Sequence, residues 1–260
     1  MPDAALDALL DLAAEAARNA YVPYTRRPEG AVLLLSDGSW APGVRIENAA
    51  FPLLIAPLTA AAALARLQGR TDVAAAAQTR PISEAECDVL ASDFGIVWEH
   101  IAPHALVASG ARPLPSPSRR LDPFLAAPDL DDEAAAALAA QVARRAYVPE
   151  SGFPVGCVIE TADGRWVPGC NVEHTDWTRG LCAERVALAL ARAYGATDFR
   201  RIAVSCPLDP SGTPCGACRQ VLAELAPGIP VVLDRGAYPP EVTTADQLLP
   251  GAFRGDRLRA

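Results

Sequence analysis

The sequence contains an internal duplication, which constrains the fold more than any other feature. When the 260-residue chain is shifted by 126 positions, residues 17–72 align without gaps with residues 143–198, and 23 of the 56 paired positions are identical. Identity at one fixed offset is typical of a repeated structural unit. We therefore predict two copies of one domain, at residues 1–120 and 121–260. The copies are joined by a proline-rich linker at residues 111–130, which contains Pro113, Pro115, Pro117, Pro123 and Pro128.

Each copy has the same order of predicted elements. A helix is followed by a strand, an Asp-Gly turn, a second strand and another helix, and Asp-Gly between apolar runs is typical of a hairpin. The second copy continues with a strand, a helix and a buried strand. Strands that alternate with helices predict an α/β fold, here a duplicated three-layer α/β/α domain around a mixed sheet. The predicted helices are residues 3–20, 57–67, 131–146 and 182–194, and a further helix begins after Cys215. The predicted strands are residues 31–35, 155–161, 202–205 and 230–233. The second strand of the hairpin ends at residue 44 in the first copy and at residue 170 in the second.

The second copy carries two motifs that predict a metal centre. Cys182 and Glu184 form a Cys-x-Glu motif, and Cys215 and Cys218 lie in Pro-Cys-Gly-Ala-Cys. Both motifs fall where helices are predicted to begin, and a helix N-terminus favours a thiolate over a thiol. Catalytic zinc sites use three protein ligands and leave the fourth position to water or substrate. We therefore predict that three sulfurs bind Zn²⁺ and that Glu184 is a general acid and base beside an activated water.

The three cysteines are also compatible with two roles that involve no catalysis. They could be small buried apolar residues. They could instead form a purely structural zinc site, for which His174 is the nearby candidate fourth ligand. Because His174 directly follows Glu173, we expect it to lie in the wall of the pocket and not to bind the metal. Because three thiolates on Zn²⁺ leave a net negative charge, we expect a nearby cation to balance it, and Arg185 is the candidate. Cys157, Cys170 and Cys206 fall on predicted strands, so we expect them to lie in the core.

The second copy resembles the cytidine deaminases. The resemblance is carried by Phe153-Pro154-Val155-Gly156, Gly169-Cys170-Asn171-Val172-Glu173, the Cys-Ala-Glu-Arg and Pro-Cys-Gly-Ala-Cys-Arg-Gln segments, and Leu248-Leu249-Pro250-Gly251-Ala252-Phe253. It implies that a zinc-activated water attacks C4 of cytosine while Glu184 moves protons. It also implies that Asn171 and Glu173 hold the ribose hydroxyls. Further substrate contacts implied in this way are Phe153, Ala183, Trp177 and Phe253.

The predicted function is hydrolysis of cytidine or deoxycytidine to uridine or deoxyuridine plus ammonia. Two alternatives are a deaminase of a modified or antibiotic cytosine nucleoside and a zinc-containing nucleoside-binding module without turnover. Glu150 and His174 depart from the residues common in the family, and these departures bear on which nucleoside is accepted.

The first copy lacks the metal ligands. Ala56, Pro57 and Leu58 stand opposite Cys182, Ala183 and Glu184, and Cys87 is the one cysteine in the region that matches the Cys-x-x-Cys motif. We therefore expect one Zn²⁺ per chain and a plugged cavity in the first copy. Arg45 stands opposite Asn171, which breaks the ribose-binding pair. Glu47 survives, and we expect it to be a solvated strand end.

The bulk composition predicts a protein with small-molecule substrates. The net charge of −8 disfavours a nucleic-acid partner. The N-terminus carries Asp3, Asp7 and Asp11 where a signal peptide needs basic and then apolar residues, and no apolar run reaches the length of a membrane span. We therefore expect a cytoplasmic protein with reduced thiols and no membrane contact. The family resemblance implies a homodimer that forms a pseudo-tetramer of four domains.

Overall fold

The computed structural model describes residues 4–127 and 129–258, and it divides into two compact units. Unit 1 contains the residues up to Ile46 together with Ile55–Asp122 and His174–Asp176. Unit 2 contains Glu47–Leu54, Pro123–Glu173 and the residues from Trp177 onward. Asp3 and Pro128, which were predicted to belong to a helix and to the linker, lie outside the described residues.

Unit 1 is built on a six-stranded sheet with the order β4-β5-β3-β1-β2-β6. The β2–β6 pair is parallel and the other neighbouring pairs are antiparallel, so the sheet is mixed. Its strands are β1 (Gly30–Leu35), β2 (Ser39–Val44), β3 (Val73–Gln78), β4 (Trp98–Ala102), β5 (Ala105–Ala108) and β6 (Arg119–Arg120). Its helices are α1 (Ala4–Ala17), α2 (Pro57–Leu67) and α3 (Glu84–Phe94).

Unit 2 is built on a five-stranded sheet with the order β11-β10-β9-β7-β8. Here β9 and β10 run parallel, and the remaining pairs are antiparallel. Its strands are β7 (Gly156–Thr161), β8 (Trp166–Cys170), β9 (Phe199–Ser205), β10 (Pro230–Arg235) and β11 (Tyr238–Thr244). Its helices are α4 (Asp132–Ala143), α5 (Ala183–Ala193), α6 (Gly216–Leu225) and α7 (Ala245–Leu248).

Two glycines show that α4 and α5 lie on opposite faces of the unit 2 sheet. A Cβ on Gly156 would lie 2.0 Å from the Ala139 carbonyl oxygen of α4, and a Cβ on Gly169 would lie 2.2 Å from the Ala183 carbonyl oxygen of α5. Gly169 is paired with Cys157, the residue after Gly156. Successive residues of a strand face opposite sides of a sheet, so the unit has three layers.

Unit 1 has the same three layers, since Gly30 and Gly43 contact α1 and α2 in the same way. The predicted α/β fold with a three-layer domain in two copies is therefore confirmed. The copies differ in their last hairpin. In unit 1, β5 lies beside β3 and runs antiparallel to it, whereas in unit 2 the corresponding neighbours β9 and β10 are parallel. A parallel pair needs a crossover between its strands, and α6 supplies it.

Helices α5 and α6 position the two cysteine motifs. Each begins directly after a cysteine in extended conformation, at Cys182 for α5 and at Cys215 for α6. Helix α5 is almost wholly buried against β7 and β8, so the location of its first turn is fixed by packing. Across the described residues, no helix has the length and apolar character needed to cross a membrane.

Candidate active site

Three cysteines of unit 2 converge at the N-terminal ends of α5 and α6. The Sγ atoms of Cys182, Cys215 and Cys218 all lie within 4.8 Å of one another. The Sγ atoms of Cys182 and Cys215 are 3.6 Å apart. Cys218 is fully buried in the first turn of α6, whereas Cys215 is exposed. The cluster is therefore open to a ligand on one side.

The spacing of these sulfurs fits a zinc ion. A tetrahedral site with Zn–S bonds of about 2.3 Å holds its sulfurs about 3.8 Å apart. The Cys182–Cys215 separation is close to that value. Among residues 4–127 and 129–258, these three cysteines are the one group of three or more potential ligands whose donor atoms lie close enough together to bind a single ion. No fourth protein ligand belongs to this group. The predicted cofactor, Zn²⁺, is borne out by this donor set, and the three sulfurs leave one tetrahedral position open.

The pKa values of Cys215 and Cys218 are shifted in opposite directions. Hydrogen bonds from Cys182 and Cys218 lower the pKa of Cys215, and the backbone N–H groups of Cys218 and Ala217 lower it further. Hydrogen bonding to Cys182 and Cys215, with burial, raises the pKa of Cys218 well above its ordinary range. The surroundings therefore favour ionisation at Cys215, and zinc ligation requires cysteines in the thiolate form.

Glu184 and Arg185 follow Cys182 in the first turn of α5. Glu184 is 3% exposed, and its Oε2 accepts a hydrogen bond of 3.2 Å from the Cys218 thiol. Burial raises the pKa of Glu184, and the nearby Cys215 adds to that effect. Arg185 is 8% exposed and donates from Nη2 to the Leu53 carbonyl oxygen at 3.2 Å. The carboxylate is thus held beside the cluster, and a buried guanidinium lies on the same helical turn.

A cavity of about 440 Å³ opens beside the three-cysteine cluster. Glu184, Cys182 and Cys215 lie in its wall, so both the sulfurs and the carboxylate can meet a molecule that enters. Its volume lies within the range of about 300–1,000 Å³ that is typical of small-molecule sites. The other lining residues are Phe153, Val155, Asn171, Cys206, Asp209, Ser211, Gly212 and Thr213.

Asn171 lines the cavity, whereas Glu173 lies behind it. The Asn171 Oδ1 accepts from the Val155 N–H at 2.8 Å, and its Nδ2 donates to the Phe153 carbonyl oxygen at 2.9 Å. The Glu173 carboxylate accepts from the Glu150 and Ser151 N–H groups and from the Ser151 hydroxyl. Against the upward effect of burial, these hydrogen bonds hold the pKa of Glu173 below its ordinary value. Both side chains therefore brace residues 150–155, which form one side of the cavity.

The remaining predicted substrate contacts divide into two groups. Phe153 lines the cavity, and Ala183 is fully buried between the ligand Cys182 and Glu184. Trp177 is 65% exposed and Phe253 is 44% exposed, and neither is among the described residues that line the cavity. His174 lies in unit 1, where its Nε2 is 3.6 Å from Asp93 Oδ1, so it is not part of the sulfur cluster.

Arg219 and Gln220 brace the site from α6. Arg219 donates to the Pro214 carbonyl oxygen, to the Thr213 hydroxyl and to the Leu248 carbonyl oxygen. Gln220 exchanges two hydrogen bonds with the backbone of Phe253. The motif that contains both residues is evident in the sequence, but the distant partners, Leu248 and Phe253, become visible only in the fold.

Cys206 and Glu47 differ from their predicted environments. Cys157 and Cys170 are fully buried as expected, but Cys206 is half-buried and lines the cavity, because β9 ends at Ser205 and the chain turns along the cavity wall. Glu47, predicted to be a solvated strand end, is 3% exposed. The prediction for Glu47 was therefore wrong, because its side chain is enclosed and not solvated.

In unit 1, charged residues occupy positions equivalent to part of this cavity wall. The β1–β3 and β7–β9 pairs have the same register at an offset of 126, so Glu29, Arg45 and Arg80 stand where unit 2 has Val155, Asn171 and Cys206. Arg45 and Arg80 contact the Glu29 carboxylate at 3.1 and 3.0 Å. Arg80 also contacts Glu86 at 2.6 Å. Pro57 and Leu58, which stand opposite Ala183 and Glu184, are buried, and the ion-pair cluster was not predicted.

Comparisons with known proteins agree with this geometry. Family models described as the cytidine and deoxycytidylate deaminase zinc-binding region match residues 130–233 and, separately, residues 2–80. The chain is 40% identical over 130 residues to cytidine deaminase of Sporosarcina psychrophila, a match that covers 50% of this chain and 96% of that protein. It is 39% identical over 134 residues to cytidine deaminase of Mycobacterium tuberculosis, covering 50% of this chain and 96% of that one.

Among solved structures, cytidine deaminase from Burkholderia pseudomallei is 40% identical, with a TM-score of 0.46 and coverage of 48% of this chain and 100% of that chain. The Sporosarcina protein is matched over almost its whole length by half of the present chain. The two family-model matches fall on the two halves of the duplication. The chain therefore belongs to the cytidine deaminase family of zinc-dependent hydrolases, and it contains two copies of the family's domain.

Proposed function

We propose that unit 2 hydrolyses cytidine or deoxycytidine at C4 of the pyrimidine ring. Water adds to C4, the bond from C4 to the exocyclic nitrogen breaks, and the products are uridine or deoxyuridine and ammonia. One observation carries the proposal. A buried carboxylate, Glu184, lies in the same cavity wall as two of three clustered cysteine sulfurs and accepts a hydrogen bond from the third.

The clustered cysteines, Glu184 and Arg185 have different roles in the proposed reaction. Cys182, Cys215 and Cys218 would hold the metal, and a bound Zn²⁺ would supply an activated water with a pKa lowered to about 7. Glu184 takes one proton from the attacking water and delivers it to N3 of the ring. It then takes the second proton, from the hydroxyl now on C4, and passes it to the amine, which leaves as ammonia while C4 becomes a carbonyl. Arg185 offsets the negative charge of three thiolates. Its buried guanidinium has one hydrogen bond, from Nη2 to a backbone carbonyl, and its Nε has no hydrogen-bond partner among the described residues.

The cavity favours an uncharged nucleoside. Asn171 and Phe153 lie in its wall, and we assign ribose binding to Asn171 with Glu173 behind it, while Phe153 packs on the substrate. Asp209 also lines the cavity, and hydrogen bonds from Ser211 hold the pKa of Asp209 below its ordinary value, so it stays ionised. A carboxylate in the wall repels a phosphate group, which disfavours deoxycytidylate as the substrate.

The assigned contacts of Ala183, Trp177 and Phe253 with the nucleoside are part of the same proposal. Trp177 and Phe253 present exposed aromatic surface. In the homodimer that we propose, such surface would be available to the cavity of a neighbouring domain. Light scattering on the purified protein tests the assembly, and a mass equal to one chain at full activity would contradict it.

Deamination of a modified cytosine nucleoside and binding of nucleosides without turnover are the alternatives. A binding module has no use for a buried carboxylate beside an open metal position, and this argues for turnover. The seven free cysteines, three of which are needed as ligands, suit a reducing compartment, and we propose that the protein works in the cytoplasm.

The proposal is tested by following the loss of cytidine absorbance and the release of ammonia. Glu184→Gln is expected to lower kcat by about 10²–10⁴-fold, the usual contribution of a positioned acid–base group, without loss of zinc. Glu133→Gln, the same change at an exposed carboxylate of α4, serves as the control and is expected to be without effect. Equal rates in all three proteins would remove Glu184 from the mechanism. Turnover of deoxycytidylate in preference to cytidine would contradict the assigned substrate.

A further inference from the structure

A loop between β9 and α6 forms one wall of the cavity. This wall loop, residues 207–213, supplies Asp209, Ser211, Gly212 and Thr213 to the eleven residues that line the cavity. Its backbone is folded into turns, with the Asp209 N–H bonded to the Cys206 carbonyl at 2.9 Å and the Gly212 N–H bonded to the Asp209 carbonyl at 2.8 Å. The loop is exposed for most of its length, so its position depends on what holds it from outside.

The wall loop lies directly on Cys206. A Cβ on Gly212 would be 2.7 Å from the Cys206 Sγ and 2.8 Å from the Cys206 Cβ. Backbone and thiol are therefore in close contact, and both line the cavity. A shift of the loop changes the shape of the cavity where the two meet.

Arg235 holds the outer side of the wall loop. It lies at the end of β10, and its Nη1 donates to the carbonyl oxygens of Pro210 and Gly212, each at 2.8 Å. Its Nε and Nη2 contact the Glu241 carboxylate at 3.1 and 2.9 Å. The Arg235 side chain is 17% exposed, whereas that of Glu241 is 59% exposed. Glu241 thus orients the guanidinium from the solvent side, and the guanidinium binds two carbonyls of the loop.

The end of the loop that leads to the metal ligands is held separately. Arg219 donates to the Thr213 hydroxyl and to the Pro214 carbonyl oxygen, both at 2.7 Å, immediately before Cys215. Loss of Arg235 therefore frees residues 207–212, whereas Arg219 still holds the segment immediately before Cys215. This separation allows an effect on the cavity wall to be distinguished from an effect on the metal centre.

We propose that Arg235 is a positioning residue for substrate binding, because its guanidinium holds the wall loop against the cavity. The inference rests on the proposed function, since it assigns the cavity to the substrate. Arg235 itself does not line the cavity among the described residues. It acts through Pro210 and Gly212, so its removal is expected to weaken substrate binding more than it slows the chemical step.

The experiment compares Arg235→Gln and Arg235→Lys with the wild-type protein. Arg200→Gln is the matched control, because Arg200 lies on β9 of the same unit, is 53% exposed and contacts Glu160 at 3.4 Å. Hydrogen exchange of peptides that cover residues 207–213, zinc content, and KM and kcat for cytidine are measured for each protein. Exchange is read without substrate, so it reports on the loop whether or not cytidine is turned over.

Arg235→Gln is expected to speed exchange in the wall loop by about tenfold or more and to raise KM by about tenfold, with kcat changed less than about threefold and zinc retained. Lysine keeps the positive charge but lacks the planar guanidinium, which binds the Glu241 carboxylate and the two loop carbonyls at the same time. Arg235→Lys is therefore expected to give values between those of the glutamine variant and the wild type. If the glutamine variant does not fold, the lysine variant supplies the same readouts.

Three results would overturn the inference: unchanged exchange in the loop, faster exchange with an unchanged KM, or an activity loss that follows zinc loss. Failure of the wild-type protein to deaminate cytidine would contradict the proposed function instead, while the exchange data would still decide whether Arg235 holds the loop.

Discussion

Replacing Gly169 with alanine tests how closely α5 has to lie against β8 for the metal ligands to be in place. Gly169 faces the first turn of α5, which follows Cys182 and contains Glu184. A Cβ at Gly169 would lie 2.2 Å from the Ala183 carbonyl oxygen and 2.4 Å from the Ala187 backbone nitrogen. Both atoms belong to helix backbone, which cannot move aside as a flexible side chain does.

The expected magnitude follows from these distances. To restore ordinary van der Waals contact, the first turn of α5 has to retreat from the sheet by roughly 1 Å. Overpacking of this kind costs about 1–3 kcal/mol of stability. A displacement of about 1 Å at catalytic groups lowers activity by about 10²-fold. We therefore expect Gly169→Ala to lower stability by about 2–3 kcal/mol, to weaken zinc binding and to lower kcat/KM by about 10²-fold.

Gly43→Ala is the matched control. Gly43 occupies the equivalent position in unit 1, where a Cβ would lie 2.0 Å from the Pro57 carbonyl oxygen and 2.6 Å from the Ala61 backbone nitrogen. The clash is similar, but the helix carries no metal ligands. Urea denaturation, zinc analysis and cytidine turnover are measured on both variants. We expect both to be destabilised and only Gly169→Ala to lose zinc affinity and activity. Native activity in Gly169→Ala, or an equal loss in Gly43→Ala, would refute the reasoning.

Two further predictions concern unit 1. Burial raises the pKa of Asp93 to about 6, so the folded protein holds this proton more tightly than the unfolded chain, and stability falls as pH rises from about 4 to 6. Relative to the wild type, the free energy of unfolding of Asp93→Asn, measured by urea denaturation, is expected to increase by about 1–3 kcal/mol over that range. A difference between the two proteins that does not change with pH would contradict this. Arg80→Met leaves the Glu29 and Glu86 carboxylates with fewer partners. It is expected to lower the free energy of unfolding by about 1–3 kcal/mol with zinc content unchanged, and no loss of stability would argue against the ion-pair cluster.

The three-cysteine cluster was predictable because its members lie in two short motifs. The spacing in Cys182-x-Glu184 and in Cys215-x-x-Cys218 fixes each part locally, and both helices begin where the sequence predicts. The duplication likewise predicted the two domains and most of their helices and strands, because the offset of 126 residues carries the strand register from one copy to the other.

Several features depend instead on contacts between residues that are distant in the sequence. The ion-pair cluster of unit 1 includes Glu29, Arg45 and Arg80, which only the strand register brings together. The contact of Arg235 with the wall loop is of the same kind, since neither partner has a motif of its own. The antiparallel placement of β5 beside β3 was also not predictable, because the order of strands in a sheet is not encoded in the periodicity of any one strand.

The central claim is that three sulfurs of unit 2 bind one zinc ion and leave one position open. Zinc K-edge X-ray absorption on the purified protein, with metal analysis, tests it most directly. The account predicts one zinc per chain with three sulfurs at about 2.3 Å and one oxygen at about 2.0 Å. Outer-shell scattering from an imidazole ring, a fourth sulfur, or two zinc ions per chain would contradict it.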